Sequence, residues 1–222
     1  MIKIGIVDLS DVLRGADRGK IKSVQSKFAR ILLGELFSEA YPNEKMPEIL
    51  KGKYGKPYFA GEGKFFNITH EGGLAAVILS DEGEVGIDLQ SLPSELRSRE
   101  KIEERLTRVI RECDYYFTRA GVCEPCGIEI YSFLPLGDDA VTRSLPTQSI
   151  KVYDEPRALS SADGELVRQW SELEALMKLS GGGFADVGRI HEILATAKIK
   201  TLWVSDKDGK EYALCATTGA TN

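Results

Sequence analysis

No run of about eighteen apolar residues occurs in the 222-residue chain, which excludes a helical membrane span. The residues after Met1 (IKIGIVD) are too few and too polar for a secretory signal, so a cytoplasmic protein is expected. A basic surplus is also lacking. The net charge is -5, which argues against wholesale nucleic-acid binding while leaving room for a local basic pocket. Cysteine is scarce, with four in the chain (Cys113, Cys123, Cys126, Cys215), and a cytoplasmic setting keeps them mostly reduced. Cys123 and Cys126 have the spacing of a redox or zinc half-site. A closed zinc site needs four ligands, however, and the nearest further cysteine is ten residues upstream with no histidine close by. Pro125 and Gly127 give the pair a loop context rather than a helix start, so ordinary loop thiols are the simpler reading.

What is present describes an ordinary globular chain, with 42% hydrophobic and 28% charged residues. At this length roughly 70% of the unfolded surface can be buried without staples. Residues 2–9 alternate and are β-rich, which predicts a strand. Lys20–Ala40 is the clearest helix, with Val24, Phe28, Ile31, Leu32 and Leu36 near a 3.6-residue period, Arg30 beside the polar flank, and Pro42 as the stop. Tyr54–Phe59 (YGKPYF) places a lysine in a Gly-Lys-Pro turn. Phe65–Thr69 and Leu74–Ser80 read as strands, and Asp81-Glu82-Gly83 as a hairpin turn returning through Glu84–Leu89. Glu95–Glu112 is a charged helix with Ile102, Leu106, Val109 and Ile110 as its apolar stripe. Residues 118–160 read as an irregular excursion carrying short β-like runs at Ile128–Phe133 and Ser149–Tyr153. Ala162-Asp163 is expected to cap a helix over Glu165–Leu179, stopped by glycines 181–183. Lys200–Val204 and Lys210–Thr217 close the chain as a hairpin. The stretches LAAVILSDEGEVGID and KTLWVSDKDGKEYALCA both read strand, Ser-Asp turn with Gly, strand, a faint internal repeat.

Four separated pieces share a chemical character. Arg30 on a helix, Lys56 in its turn, His70 at a strand end and Lys178 on a second helix are cations or an imidazole suited to a polyphosphate, whose oxygens accept charge-assisted bonds. Asp88 and Glu174 are carboxylates on regular elements, as a hard divalent cation needs, and magnesium commonly takes one or two of them. Glu174 and Lys178, four apart on one helix, share a face. Each feature alone has a plainer reading, as a surface ion pair, a strand-end histidine or a turn aspartate. Their order and spacing set them apart.

That order resembles the 4'-phosphopantetheinyl transferase superfamily, in its larger surfactin-synthetase-activating type. The resemblance rests on SKFARILLGELF (26–37), YGKPYF (54–59), FNITH (66–70), VGIDLQ (85–90) and WSELEALMK (170–178), and spans most of the chain except 113–160. It implies two similar α+β halves related by a pseudo-twofold, residues 1–85 and 86–222, with coenzyme A in the cleft between them. The implied activity is magnesium-dependent transfer of 4'-phosphopantetheine from coenzyme A to a serine of an apo acyl or peptidyl carrier protein, releasing adenosine 3',5'-bisphosphate. Fatty-acid, polyketide and peptide-synthetase carriers all offer such a serine. By the same resemblance Arg30, Lys56, Pro57, Thr69 and His70 contact coenzyme A, with His70 near its 3'-phosphate. Asp88 and Glu174 hold magnesium, and Lys178 neutralises the departing oxygen. The carrier serine is a poor nucleophile and needs a base, for which Glu174, directly or through a metal-bound water, is the candidate. A monomer is expected.

The sequence departs from the family pattern in three places. Gln90 stands two places after Asp88 where an acidic residue is common; its amide oxygen is still a possible magnesium ligand, without the charge. Leu173 replaces the lysine usual before the glutamate, and is expected to pack in the core with Trp170 and Leu176. Asp88 and Glu174 are also unusually far apart in sequence. The excess falls in 113–160, which is expected to be a partner-recognition insertion whose removal spares coenzyme A binding. Gln90 and Leu173 keep a second reading open, a catalytically weakened module that binds coenzyme A or a carrier protein on the same fold.

Overall fold

The structure, a computed structural model, describes residues 1–61, 63–113, 127–136, 140–143, 150–183, 192–193 and 195–219. Strand β1 (Ile2–Asp8) is followed by the single helical turn α1 (Ser10–Leu13) and the long helix α2 (Ile21–Ala40). A small hairpin, β2 (Ile49–Lys51) and β3 (Pro57–Phe59), leads into β4 (Phe65–Glu71) and β5 (Leu74–Ser80). The chain continues through β6 (Val85–Ser91), α3 (Leu96–Cys113), β7 (Ile128–Leu136), β8 (Ala140–Arg143) and β9 (Lys151–Tyr153). Helix α4 (Ser161–Ser180) and the hairpin β10 (Lys198–Ser205) and β11 (Glu211–Thr218) complete it. No helix among the described residues is long and apolar enough to cross a membrane.

Among the described residues the larger sheets run β4-β5-β1-β7-β8 and β6-β11-β10-β9. They pack face to face, each with a helix on its outer side, so the class is α+β in four layers. The inner layer joins Ile4, Ile6, Leu74, Ala76 and Ile78 of the first sheet to Val85, Ile87, Leu89, Tyr212 and Leu214 of the second. On the outer face of the first sheet Val7, Ala75, Val77 and Leu79 meet Phe28, Leu32, Leu33 and Leu36 of α2. This explains why Leu74–Ser80 is apolar without alternation: β5 is central and covered on both faces. On the outer face of the second sheet Ala175, Leu176 and Leu179 of α4 lie on Ile199 and Cys215, and Val167 lies on Trp203 and Ala213. Helix α3 packs against the remaining side of α4 through Leu106 and Val109, which meet Trp170, Leu173 and Met177. Leu173 is therefore core with Trp170, whereas Leu176 turns the other way.

Several sequence expectations need correction. Asp81–Gly83 does not close a hairpin: β5 pairs with β1 and β4, while β6 pairs with β11 in the other sheet. The turn carries the chain from one sheet to the next, so the proposed repeat of two hairpins does not hold. What recurs is larger. Strand, helix and hairpin appear once as β1-α2-β4-β5 and once as β6-α4-β10-β11, and in each set the hairpin's second strand pairs with the opening strand. Helix α4 starts earlier than expected, because Ser160 is its cap and accepts a bond from the Asp163 amide at 3.2 Å. Gly181, at φ +77°, ends it as foreseen.

The described part of 113–160 is not irregular. β7 pairs in parallel with β1, β8 flanks β7, and β9 extends the second sheet beside β10. Phe133, Val141 and Ile150 are core residues. Removing 118–160 would strip both sheets of a neighbour, so the segment is not a detachable insertion. Cys123 and Cys126 lie outside the described residues.

Gly86 of β6 shows how closely α4 sits on its sheet. A Cβ there would collide with the Ala175 carbonyl oxygen and lie 2.6 Å from Thr217 Oγ1 and 2.8 Å from the Leu179 amide, groups that cannot easily retreat. Gly86→Ala is expected to lose about 3 kcal/mol of stability, as overpacking does. Gly34→Ala on α2, where nothing lies within 4 Å, is expected to gain up to about 1 kcal/mol from helix propensity. Urea titration of both variants checks the pair, and equal effects would refute the close approach.

Candidate active site

The two sheets meet at their edges as well as their faces. β4 ends the first sheet and β6 ends the second; the two strands lie side by side with no backbone ladder between them among the described residues. Side chains bridge the gap instead. Thr69 Oγ1 on β4 accepts a bond from the Leu89 amide at 3.2 Å and donates to Asp88 Oδ1 at 3.4 Å. Ser91 Oγ donates to Glu71 Oε1 at 3.2 Å. Because alternate residues of β6 face opposite ways, Ile87 and Leu89 enter the inner core while Asp88 and Gln90 turn towards α4.

Helix α4 brings the other half of the site. Ser171 Oγ reaches the carbonyl oxygens of Asp88 at 3.3 Å and Ala213 at 3.4 Å, fixing the helix over β6 and β11. Two turns further on, Lys178 Nζ donates to Asp88 Oδ1 at 2.6 Å and to Thr69 Oγ1 at 3.1 Å. Lys178 is thus the counter-ion of Asp88 rather than a surface partner of Glu174. The adjacent face of α4 holds its own buried pair, Arg168 on Glu172 at 2.6 Å, with Thr201 donating to the same carboxylate at 2.8 Å.

Asp88 is 2% exposed, and its Oδ2 has no hydrogen-bond partner among the described residues. The carboxyl of Glu174 is a close electrostatic neighbour of Asp88 in the same cavity wall. Two neighbouring carboxylates repel when both are ionised, which favours a proton or a cation on the pair. Burial first, then the Asp88 charge, pushes the Glu174 carboxyl from its ordinary 4.5 up to about 7. Burial likewise pushes Asp88 up against the opposing pull of Lys178. His70 is held below its ordinary range by burial and by the charges of Lys178 and Lys22.

A cavity of about 420 Å³ opens over this group, lined by Arg30, Pro57, His70, Gln90, Glu174 and Lys178 among others. Arg30 is exposed there, His70 Nε2 stands 3.3 Å from Ser26 Oγ, and the Gln90 amide donates to the Ser91 carbonyl oxygen at 2.7 Å. Thr69 also lines the cavity, but its hydroxyl is engaged with Asp88, Lys178 and Leu89. Lys56 faces a neighbouring cavity of about 340 Å³ shared with Asn67, Glu174 and Lys178. Its ammonium is held by Glu84 at 2.7 Å and the Leu179 carbonyl oxygen at 3.2 Å.

Three features escaped the sequence reading. Glu71 adds a third carboxylate to the cavity wall. Asn67 is 3% exposed and has no side-chain partner among the described residues. Arg14, Arg18, Lys22 and Lys210 line a broad cleft of about 880 Å³ that meets the first cavity at His70. The crowding of cations in RGADRGKIK (14–22) was the available signal for that cleft.

Among the described residues no group of three or more His, Cys, Asp or Glu side chains is placed to hold a metal ion. Asp88, with its unpartnered Oδ2, and Glu174 in the same cavity wall nonetheless fit magnesium, which needs no more than two carboxylates when phosphate and water complete its shell.

No family model matches the chain. Over 62 residues, 28% of the chain, it is 44% identical to the 4'-phosphopantetheinyl transferase AcpT of Salmonella typhi. Over 46 residues, 20% of the chain, it is 52% identical to the protein of the same name from Escherichia coli O157:H7. The chain spans 29% of the first relative's length and 24% of the second's. These partial matches support the superfamily resemblance and do not bear on the surfactin-activating type.

The raised carboxyl of Glu174 makes stability depend on pH with a definite sign. Below about 4.5 the acid is protonated folded or unfolded; between there and about 7 the unfolded chain releases a proton that the fold retains. Stability in chelator is therefore expected to fall as pH rises through that window, and Glu174→Gln to flatten the fall. Urea midpoints from pH 4 to 8 check this, and an unchanged slope in the variant would refute the shift.

Proposed function

We propose that this protein transfers the 4'-phosphopantetheine moiety of coenzyme A to a serine of an apo acyl or peptidyl carrier protein, with magnesium, releasing adenosine 3',5'-bisphosphate. The observation that carries the proposal is the meeting of Asp88, Glu174 and Lys178 around an unpartnered buried carboxylate oxygen at the mouth of a cationic cavity. The shared strand-helix-hairpin connectivity supports two related halves, divided near residue 85, with the site where their edge strands meet.

Magnesium held by Asp88 and Glu174 would supply Lewis-acid charge to the pyrophosphate of coenzyme A. The chain's own residues do the rest. Arg30 stands exposed in the cavity as a permanent cation for a phosphate, and His70 stands where that cavity meets the cleft lined by Arg14, Arg18 and Lys22. A 3'-phosphate at that junction would find several cations at once. Asn67, buried with a free amide beside Lys178, suits a ligand arm that itself carries amides. Glu174, directly or through a metal-bound water, is the candidate base towards the attacking serine. Lys178 neutralises charge on the departing phosphate oxygen. Gln90 faces the same side of β6 as Asp88, with its amide oxygen available as a further metal or water ligand.

The test is the intact mass of a panel of apo carrier proteins after incubation with the protein, coenzyme A and magnesium. A gain of one phosphopantetheine group, abolished by chelator, is expected. No gain on any carrier, with coenzyme A still bound by calorimetry, would favour the binding-module reading that Gln90 leaves open. Asp88→Ala is expected to lower transfer by about 10²-fold or more, in line with removal of a preorganised electrostatic group, with the circular dichroism spectrum retained. Activity at the wild-type level would refute the metal assignment. Gln90→Glu is expected to shift the magnesium titration to lower concentration, and an unchanged titration would show that position 90 does not reach the metal.

A further inference from the structure

The hold of Lys178 on Asp88 raises a question that the proposed reaction alone does not answer. A lysine meant for phosphate spends the metal-free state bonded to a carboxylate that is meant for magnesium. Asp88 is nearly fully buried, and a lone carboxylate so placed is costly unless a cation or donors offset it. Its Oδ1 is served by Lys178 and Thr69, while its Oδ2 has no partner among the described residues. The Lys178 ammonium thus leaves half of the buried carboxylate unserved.

Resting on the magnesium reading above, we infer that Lys178 is a resident counter-ion that a divalent cation displaces from Asp88, so that metal entry itself frees the ammonium for the phosphate. A divalent ion held by Asp88 and Glu174 would neutralise the carboxylates and repel the nearby ammonium, removing the reason for the 2.6 Å contact. The geometry provides somewhere for the displaced group to go. The Lys178 side chain is 31% exposed, lines both cavities, and has a second acceptor in Thr69 Oγ1 at 3.1 Å. Thr69 is then a positioning residue. Its hydroxyl is anchored by the Leu89 amide, and it keeps the freed ammonium beside the metal site instead of in bulk water. Metal binding and arming of the lysine become one event.

The experiment is lysine labelling of the full-length protein with acetic anhydride, read residue by residue by mass spectrometry across a manganese titration without coenzyme A. Metal occupancy is followed in parallel by electron paramagnetic resonance. Labelling of Lys178 is expected to rise about fivefold over the range in which manganese binds, the hold expected of a partly exposed ion pair. Lys56, bonded to Glu84 and the Leu179 carbonyl oxygen, serves as the internal reference and is expected to stay constant. In Asp88→Asn, Lys178 is expected to label fast with or without metal. Manganese bound while Lys178 labelling stays flat would overturn the exchange and leave the proposed transferase standing. Labelling in Asp88→Asn as slow as in the wild type would overturn it too, since Asp88 would then not be the hold. Absence of any manganese binding would overturn the magnesium reading and the exchange together.

Discussion

The arrangement depends on one buried charge. Asp88 sits on an edge strand with a helix above it and another sheet's edge beside it, leaving 2% of its surface to solvent. Water cannot serve it, so each neighbour is recruited to do so: Thr69 from β4, Lys178 and Glu174 from α4, and Ser171 on its own backbone carbonyl. Those contacts also tie the first sheet to the second where the edge strands β4 and β6 lie side by side without a backbone ladder among the described residues. The interaction that builds the site is therefore the same one that closes the fold there. Disturbing Asp88 electrostatically means disturbing how β4 sits against β6.

That position requires the chain to leave one sheet at Ser80 and enter the other at Val85, and it requires α4 to lie very close to β6. The first demand is met by the short turn at 81–83, the second by Gly86, whose missing side chain lets the Ala175 carbonyl oxygen approach. Together they put Asp88 two residues beyond the close approach, within reach of a lysine in the last turn of the helix. Gly181 then stops the helix, so Lys178 and the Leu179 carbonyl oxygen stand at its mouth, where Lys56 also binds.

How much of this could be read from the sequence follows from how local each cause is. Helix α2, the strands Phe65–Thr69 and Leu74–Ser80, the glycine stop of α4 and the closing hairpin are set by periodicity and turn chemistry within a few residues, and they were legible. The motifs also named residues that the fold does gather: Asp88, Glu174, Lys178, His70, Thr69, Arg30 and Gln90 line one cavity. The destination of β6 was not legible. Asp-Glu-Gly between two β-rich runs has the chemistry of a hairpin, and what overrides it is the better partner that Val85–Ser91 finds in β11, more than a hundred residues away. The parallel pairing of β7 with β1 is equally remote in sequence, so a segment rich in Pro and Gly read as irregular although its strands extend both sheets. Lys56 shows the limit in another way. Its turn was recognised, but nothing nearby announced that Glu84 would take the ammonium.

Gln90 can be understood from the same charge. It shares a strand face with Asp88 and a cavity with Glu174 and Glu71. The carboxyl of Glu174 is already raised to about 7, by burial first and then by the charge of Asp88, with a smaller push from Glu71. A carboxylate at 90 would add another like charge where a single ammonium is the nearby counter-ion, and the protein without metal would have to hold a further proton or loosen the β4–β6 contact. An amide avoids that cost while keeping an oxygen in the same place, and it returns its donor to the Ser91 carbonyl oxygen. The amide at Gln90 and the grip of Lys178 on Asp88 both limit the negative charge gathered in this half-buried corner, and are then two consequences of one electrostatic constraint.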